Sequence, residues 1–318
     1  KAATAALGLA AINIGTAHAD TAAIVLLDRA VAGLLAGLLF GAGNAIIVRS
    51  TNPDRLTGIL VGGSMAPQIA LAYLIPVLLI PKFGVGAGFY VLAFGMLVAA
   101  LAAIALVDRV DKLDEPTRAR GHLNCSLLLF VGALVLQSCG LGAAWAYIER
   151  LANQHGFSPS VIGLAVAGSL ASQVAAAWLS AWVAPKTARW PVILVLVATQ
   201  TAFIALAILT GSPVTFIVAV CIFGSAPSAM QAFQVAEIIA LDATRRTAVL
   251  VAPLILFGNG LGPLVASFIT TQADVRGGTW AAVAMTAAAA LLYVVSASRS
   301  ARNTGAVRLP ASGSPLSQ

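Results

Sequence analysis

Apolar residues run along this chain in ten long blocks separated by short polar connections, at residues 2–17, 21–48, 56–80, 86–107, 125–148, 159–184, 190–211, 213–241, 247–271 and 278–297. A helix of about 20 apolar residues crosses the ~30 Å hydrocarbon core of a bilayer, so each block predicts a membrane-spanning helix. The first block is the shortest. Residues 1–20 also resemble a secretory leader, in which Ala17-His18-Ala19 has the small-x-small form of a cleavage site. An internal repeat, set out below, gives the block a place among the helices instead.

The connections separate by charge. If residue 1 is cytoplasmic, fourteen of the 18 lysines and arginines fall on the cytoplasmic side, Lys82, Arg150 and Arg276 fall on the other, and Arg29 lies inside the second block. This is the positive-inside bias of a membrane protein, and a miscounted helix would scramble it. The chain is 60% hydrophobic and 9% charged, with a mean hydropathy of +0.96, whereas a soluble domain carries roughly 25% charged residues. The net charge of +7 is scattered through short loops, so it reads as topology and not as a nucleic-acid surface. Cys125, Cys139 and Cys221 have no metal-ligand spacing and read as small packing residues, and His18, His122 and His155 fall in loops without metal-binding neighbours. There is no phosphate-binding glycine loop and no nucleophile–base constellation. Neither an enzyme nor a cofactor is expected.

The longest connection, 108–124, is charged, carries a proline and divides the chain. Blocks after it answer blocks before it at an offset of about 190–196 residues: 2–17 with 190–211, 21–48 with 213–241, 56–80 with 247–271 and 86–107 with 278–297. Gly62-Gly63-Ser64-Met65-Ala66-Pro67 likewise answers Gly258-Asn259-Gly260-Leu261-Gly262-Pro263. This is a parallel two-fold repeat. Blocks 125–148 and 159–184 have no counterpart, so a six-plus-six arrangement is expected whose first two helices precede Lys1. The domains are then a bundle over 1–107, a cytoplasmic linker over 108–124, a six-helix bundle over 125–297 and a disordered cytoplasmic tail over 298–318.

Two parallel six-helix repeats joined by a charged loop resemble the major facilitator superfamily of secondary transporters. Arg29-Ala30-Val31-Ala32-Gly33 is similar to the arginine-to-glycine pattern of that family's fourth helix, with alanine where glutamine is frequent. Lys1, and Lys186 with Arg189 in the second half, are similar to the basic end of its loop between helices two and three. The glycine-rich run of its antiporters is degraded at Gly62, Ala66 and Pro67 and better kept at Gly258, Gly262 and Pro263. The resemblance implies an all-α polytopic bundle in the cytoplasmic (inner) membrane that works as a monomer by alternating access. It also implies that the arginine of the fourth helix is linked with proton-coupled transport.

A charge at membrane depth costs at least ~2.5–3.5 kcal/mol, so Asp28 and Arg29 are the first candidates for a substrate or proton pathway. Arg29 lies roughly 12 Å inside its helix, and Asp28 points about 100° away. Gly33, Gly37 and Gly41 follow at four-residue steps and predict a face on which another helix packs closely, as do Gly258 and Gly262. In 213–241, Gln231, Gln234 and Glu237 share one face; the two amides are expected to contact substrate, and Glu237 to latch to Arg189 at the cytoplasmic end. Gln137 at mid-depth and Gln68, beside Pro67, complete the candidate cavity residues.

The expected function is secondary active transport of a small organic solute, coupled to protons, with efflux favoured over uptake. The rivals are an uptake symporter or uniporter for an organic acid bound at Arg29, and a non-transporting sensor or assembly protein on a transporter scaffold.

Overall fold

The computed structural model describes residues 2–48, 52–110, 124–242, 244–271 and 274–307. Most of the linker, at 111–123, and the tail beyond Val307 lie outside the described residues, as do Lys1 and Arg49. The described residues are helical apart from short connections. The helices are α1 (Ala2–Ala17), α2 (Ala22–Val48), α3 (Pro53–Leu74), α4 (Ile80–Phe83), α5 (Gly86–Val110), α6 (Cys125–Gln154), α7 (Pro159–Val183), α8 (Arg189–Leu209), α9 (Pro213–Leu241), α10 (Arg246–Val249), α11 (Val251–Ser267) and α12 (Arg276–Val307).

Local chemistry sets many of these ends. Asn124 Oδ1 accepts the Leu127 N–H at 2.7 Å and starts α6, and Ser212 Oγ accepts the Thr215 N–H at 3.4 Å ahead of Pro213 in α9. Gly156, at φ 75, follows the end of α6 in a conformation that side-chain-bearing residues rarely adopt. Block 56–80 is not one regular helix: a π-helical turn at Ile75–Leu79, with Pro76 near its start, joins α3 to α4. Proline has no N–H to continue the α-helical ladder, which accounts for a register change there. Block 247–271 is likewise divided into α10 and α11, and α12 runs on through 298–307 where a disordered tail was expected.

Seven helices among the described residues are long and apolar enough to cross a membrane; α1 and α11 are shorter apolar helices. Contacts between their ends give the alternation of direction. Ser126 meets Ser296 at one end of α6 and α12, and Gln154 meets Asp274 at the other. Asn44 meets Ala248 at the first of these levels and His18 meets Tyr90 at the second. The first level is the end that carries the arginine-rich connections, called the basic end below.

The second half holds the buried core. Phe130, Leu134, Ile193, Met230, Phe233 and Tyr293 pack together nearer the basic end, and Tyr147, Leu151, Ile204, Phe216 and Phe223 nearer the opposite one. Small residues let the backbones approach. A Cβ placed on Gly258 would lie 2.6 Å from Ser138 Cβ, and one on Gly262 would overlap the Cys139 carbonyl, so α11 is pressed against α6. Gly33 and Gly37 have no neighbour within 4 Å of a built Cβ, and Gly41 makes only an ordinary 3.8 Å contact with Pro253. The glycine face expected on α2 thus has no close-packed partner among the described residues. Gly8 of α1 makes the tight approach instead, against Leu35.

Gly262→Ala should destabilise the protein, since overpacking costs typically ~1–3 kcal/mol. Gly33→Ala should be neutral or stabilising, because alanine is the better helix former and has room. Thermal unfolding of both variants in detergent checks the contrast, and equal melting temperatures would contradict it.

Candidate functional site

Asp28 and Arg29 are not bonded to each other; they meet on a third residue. Arg29 Nη2 donates to Asn13 Oδ1 at 3.2 Å and to Thr16 Oγ1 at 2.6 Å, and its guanidinium lies 5.2 Å from the centre of the Phe89 ring. Thr16 Oγ1 is 3.0 Å from Asp28 Oδ2 and 2.9 Å from the Ile12 carbonyl. A hydroxyl has one proton to give, so Thr16 can donate to Asp28 or to Ile12 while it accepts from Arg29. Arg29 Nε is buried with no partner among the described residues. The cluster is assembled by α1, α2 and α5, and just beyond it Tyr90 Oη lies 2.8 Å from His18 Nε2.

Asn13, Thr16 and Phe89 were not singled out in the sequence. The signal for the first two was present: they are polar, three residues apart on one face of an apolar helix, and both are buried. Nothing in the local sequence marks Phe89, which is recruited by cation–π attraction across the bundle.

A second polar assembly occupies the other half. Gln137 Nε2 donates to Gln200 Oε1 at 2.8 Å, while Gln234 Nε2 donates to Gln137 Oε1 and lies 2.8 Å from Tyr293 Oη, which itself donates to Gln137 at 3.1 Å. Gln137 and Gln234 are 3% and 2% exposed, so they are not cavity-wall residues free to meet a solute, contrary to expectation. In hydrocarbon an amide is satisfied only by another protein group, and these join α6, α8, α9 and α12. Gln68 is exposed, and its Nε2 donates to the Ser64 carbonyl of its own helix at 3.2 Å. Gln231 is half-buried and makes no hydrogen bond among the described residues.

At the basic end, Arg189 Nη1 lies 3.8 Å from Glu237 Oε2, with the carboxylate buried and the guanidinium partly exposed. Beyond α9, Asp242 organises a turn. Its Oδ1 accepts the Thr244 N–H and hydroxyl at 2.9 and 2.6 Å, and its Oδ2 accepts the Thr247 N–H at 2.9 Å, next to Arg245 at φ 57. Burial opposes ionisation here, but the hydrogen bonds from Thr244 and Thr247 outweigh it and hold the carboxyl below the usual carboxylate range.

The two halves join toward this same end. Asn44 Nδ2 donates to the Ala248 carbonyl at 3.1 Å, and Gly58 and Gly62 of α3 admit Ala181 and the Trp178 ring of α7. Toward the opposite end, Leu27 and Leu34 of α2 and Gln68 of α3 are exposed. In the second half α7 packs against both α9 and α3. At the matching position of the first half, beside α2 and α11, there is a cavity of about 600 Å³ lined by Leu35, Gly37, Leu38, Gly41, Val249 and Pro253.

Comparison with protein families matches the Major Facilitator Superfamily over residues 2–236. The chain belongs to the Major Facilitator Superfamily. A solved structure of a superfamily transporter, FucP in the outward conformation, is similar in fold, with a TM-score of 0.69 at 13% identity, and the match covers 93% of this chain and 82% of that one. A search of curated proteins finds no match. As a superfamily member the chain is a multi-pass membrane transporter for small molecules.

Because the Asp242 carboxyl is depressed in the folded state, its ionised form stabilises the fold above the unfolded value of ~3.9, and that stability is lost as pH falls below it toward the folded value. Asp242→Asn should therefore lower the melting temperature most at neutral pH. The gap to the wild-type chain should narrow as pH drops below ~3.9; a gap that stays constant with pH would contradict this role.

Proposed function

We propose that this transporter is a proton-coupled secondary transporter of small organic solutes that works by alternating access in the cytoplasmic membrane. The observation that carries the reading is the shared hydroxyl of Thr16, which ties the carboxylate of Asp28 to the guanidinium of Arg29. With Asp28 ionised, Thr16 donates to it and the two charges offset each other through the bridge. A proton on Asp28 cancels its charge and makes the carboxyl a donor to Thr16 Oγ1, the Thr16 hydroxyl turns its own proton to the Ile12 carbonyl already 2.9 Å away, and Arg29 loses its compensating charge. Proton binding thus changes the grip of α1 on α2, a contact within one half that can bias how that half meets the other.

The contacts at the basic end and the exposed opposite ends of α2 and α3 support an outward-facing arrangement. Glu237 and Arg189, together with the Asn44 to Ala248 bond, are proposed as cytoplasmic latches that break when the solute crosses. Efflux is the favoured direction because the exposed face of α2 beyond the charged cluster is apolar, at Leu27, Leu34 and Leu38, which suits a lipophilic solute better than a sugar. The second reading, uptake of an organic acid, is favoured by one specific observation, the unpartnered Nε of Arg29.

Reconstituted in proteoliposomes, Asp28→Asn should abolish accumulation driven by a pH gradient while keeping counterflow, and Arg29→Ala should abolish both. Wild-type pH-driven flux in Asp28→Asn would remove protons from the mechanism. A panel of carboxylates and lipophilic cations separates the two directions: saturable carboxylate counterflow supports uptake, and pH-driven extrusion of the cations supports efflux.

A further inference from the structure

On the face opposite the basic end, the end of α6, the α8–α9 turn and the start of α12 enclose a cavity of about 340 Å³ lined by His155, Leu209, Thr210, Gly211, Arg276 and Trp280. It lies where the spans stop: α8 ends at Leu209 and α12 begins at Arg276. The outer wall is apolar, with Leu209 70% and Trp280 42% exposed, as suits side chains that face acyl chains and the headgroup boundary. Arg276 is one of the few basic residues on this face, and the positive-inside bias gives it no topological reason to be there.

The imidazole of His155 is held in place. It stacks on Phe157 with centroids 5.4 Å apart, and Phe157 packs on Phe216. Nε2 is buried and has no hydrogen-bond partner among the described residues. Burial, and then the charge of Arg276, push the imidazole below its usual value and keep it neutral. Arg276 forms no ion pair among the described residues. The neighbouring carboxylate of Asp274 is engaged at Oδ1 by the Arg276 backbone N–H at 2.9 Å and Gln154 Nε2 at 3.0 Å. Thr210 Oγ1 accepts the Ser212 N–H at 3.1 Å, and its own proton reaches only the Ser212 carbonyl at 3.5 Å.

A molecule that satisfies this pocket carries an anion for Arg276, a hydroxyl for His155 Nε2 and an apolar part for Leu209 and Trp280. We propose that the pocket binds the glycerol-phosphate headgroup of an anionic phospholipid, with the phosphate on Arg276 and Thr210 and a glycerol hydroxyl hydrogen-bonded to His155 Nε2. A soluble glycerol phosphate shares the polar chemistry but has nothing to place on the exposed apolar wall, so the lipid is the assigned source.

The full chain, reconstituted in nanodiscs of equal phosphatidylglycerol and phosphatidylcholine and released for native mass spectrometry, should retain phosphatidylglycerol with a preference of about fivefold or more, in line with a charge-assisted contact. Arg276→Gln, at an exposed position, and His155→Phe, which keeps the stack on Phe157, should each lose that preference, and soluble glycerol 3-phosphate should displace the retained lipid. Equal retention of the two lipids by the wild-type chain, or an undiminished preference in both variants, overturns the proposal. Binding of glycerol 3-phosphate without any lipid preference overturns the assignment to a lipid.

Discussion

Hydrocarbon offers no partner to a polar side chain, and the arrangement of this protein follows from that constraint. Arg29 is bound by Asn13, Thr16 and the Phe89 ring, and Gln137 closes a network with Gln200, Gln234 and Tyr293. Each network draws together helices that have no hydrophobic reason to associate inside a lipid phase, since lipid tails are as apolar as leucine. The first holds α1 to α2 and the second holds α6 to α8, α9 and α12. Small residues supply the remaining cohesion by letting backbones approach, most closely where α11 meets α6.

The two networks differ in what they can do. The amide network is neutral and buried, with the Gln200 Nε2 donor unpartnered among the described residues, and its role is to fix the second half as a unit. The Arg29 cluster contains a carboxylate and a guanidinium that share a single hydroxyl, so its hydrogen bonds depend on one proton. A bundle whose second half is tied by buried amides and whose first half carries a buried charge cluster, joined mainly toward the basic end through Asn44, Gly58 and Gly62, has the parts that alternating access needs. The proposed mechanism assigns the switch to the first half for that reason.

The fold was largely legible because the bilayer imposes a simple rule on length and polarity. The block at 213–241 coincides with α9, the start of every long helix lies within a few residues of its block, and the superfamily could be recognised before any contact was known. What the pattern could not reveal was partner choice. Gln137 and Gln234 have the spacing of cavity residues, yet each finds an amide or phenol on a helix far away in sequence, at separations of 63, 97 and 156 residues in the bonds they make. Gly33 and Gly37 look like a packing face, but close approach also needs a neighbour, and the described residues supply none within 4 Å. Asn13 and Thr16 were readable as polar residues on one helix face; that they would hold Arg29 depends on how α1 and α2 turn toward each other.

The central proposal is that Asp28 carries the coupling proton beside the Thr16 hydroxyl that it shares with Arg29. Infrared difference spectroscopy of the lipid-reconstituted protein on acidification tests it most directly. The account predicts a carboxylic-acid carbonyl band that is absent in Asp28→Asn and shifted in Thr16→Val, where the bridging hydroxyl is replaced by a methyl group. Identical difference spectra for the wild-type chain and both variants would contradict it.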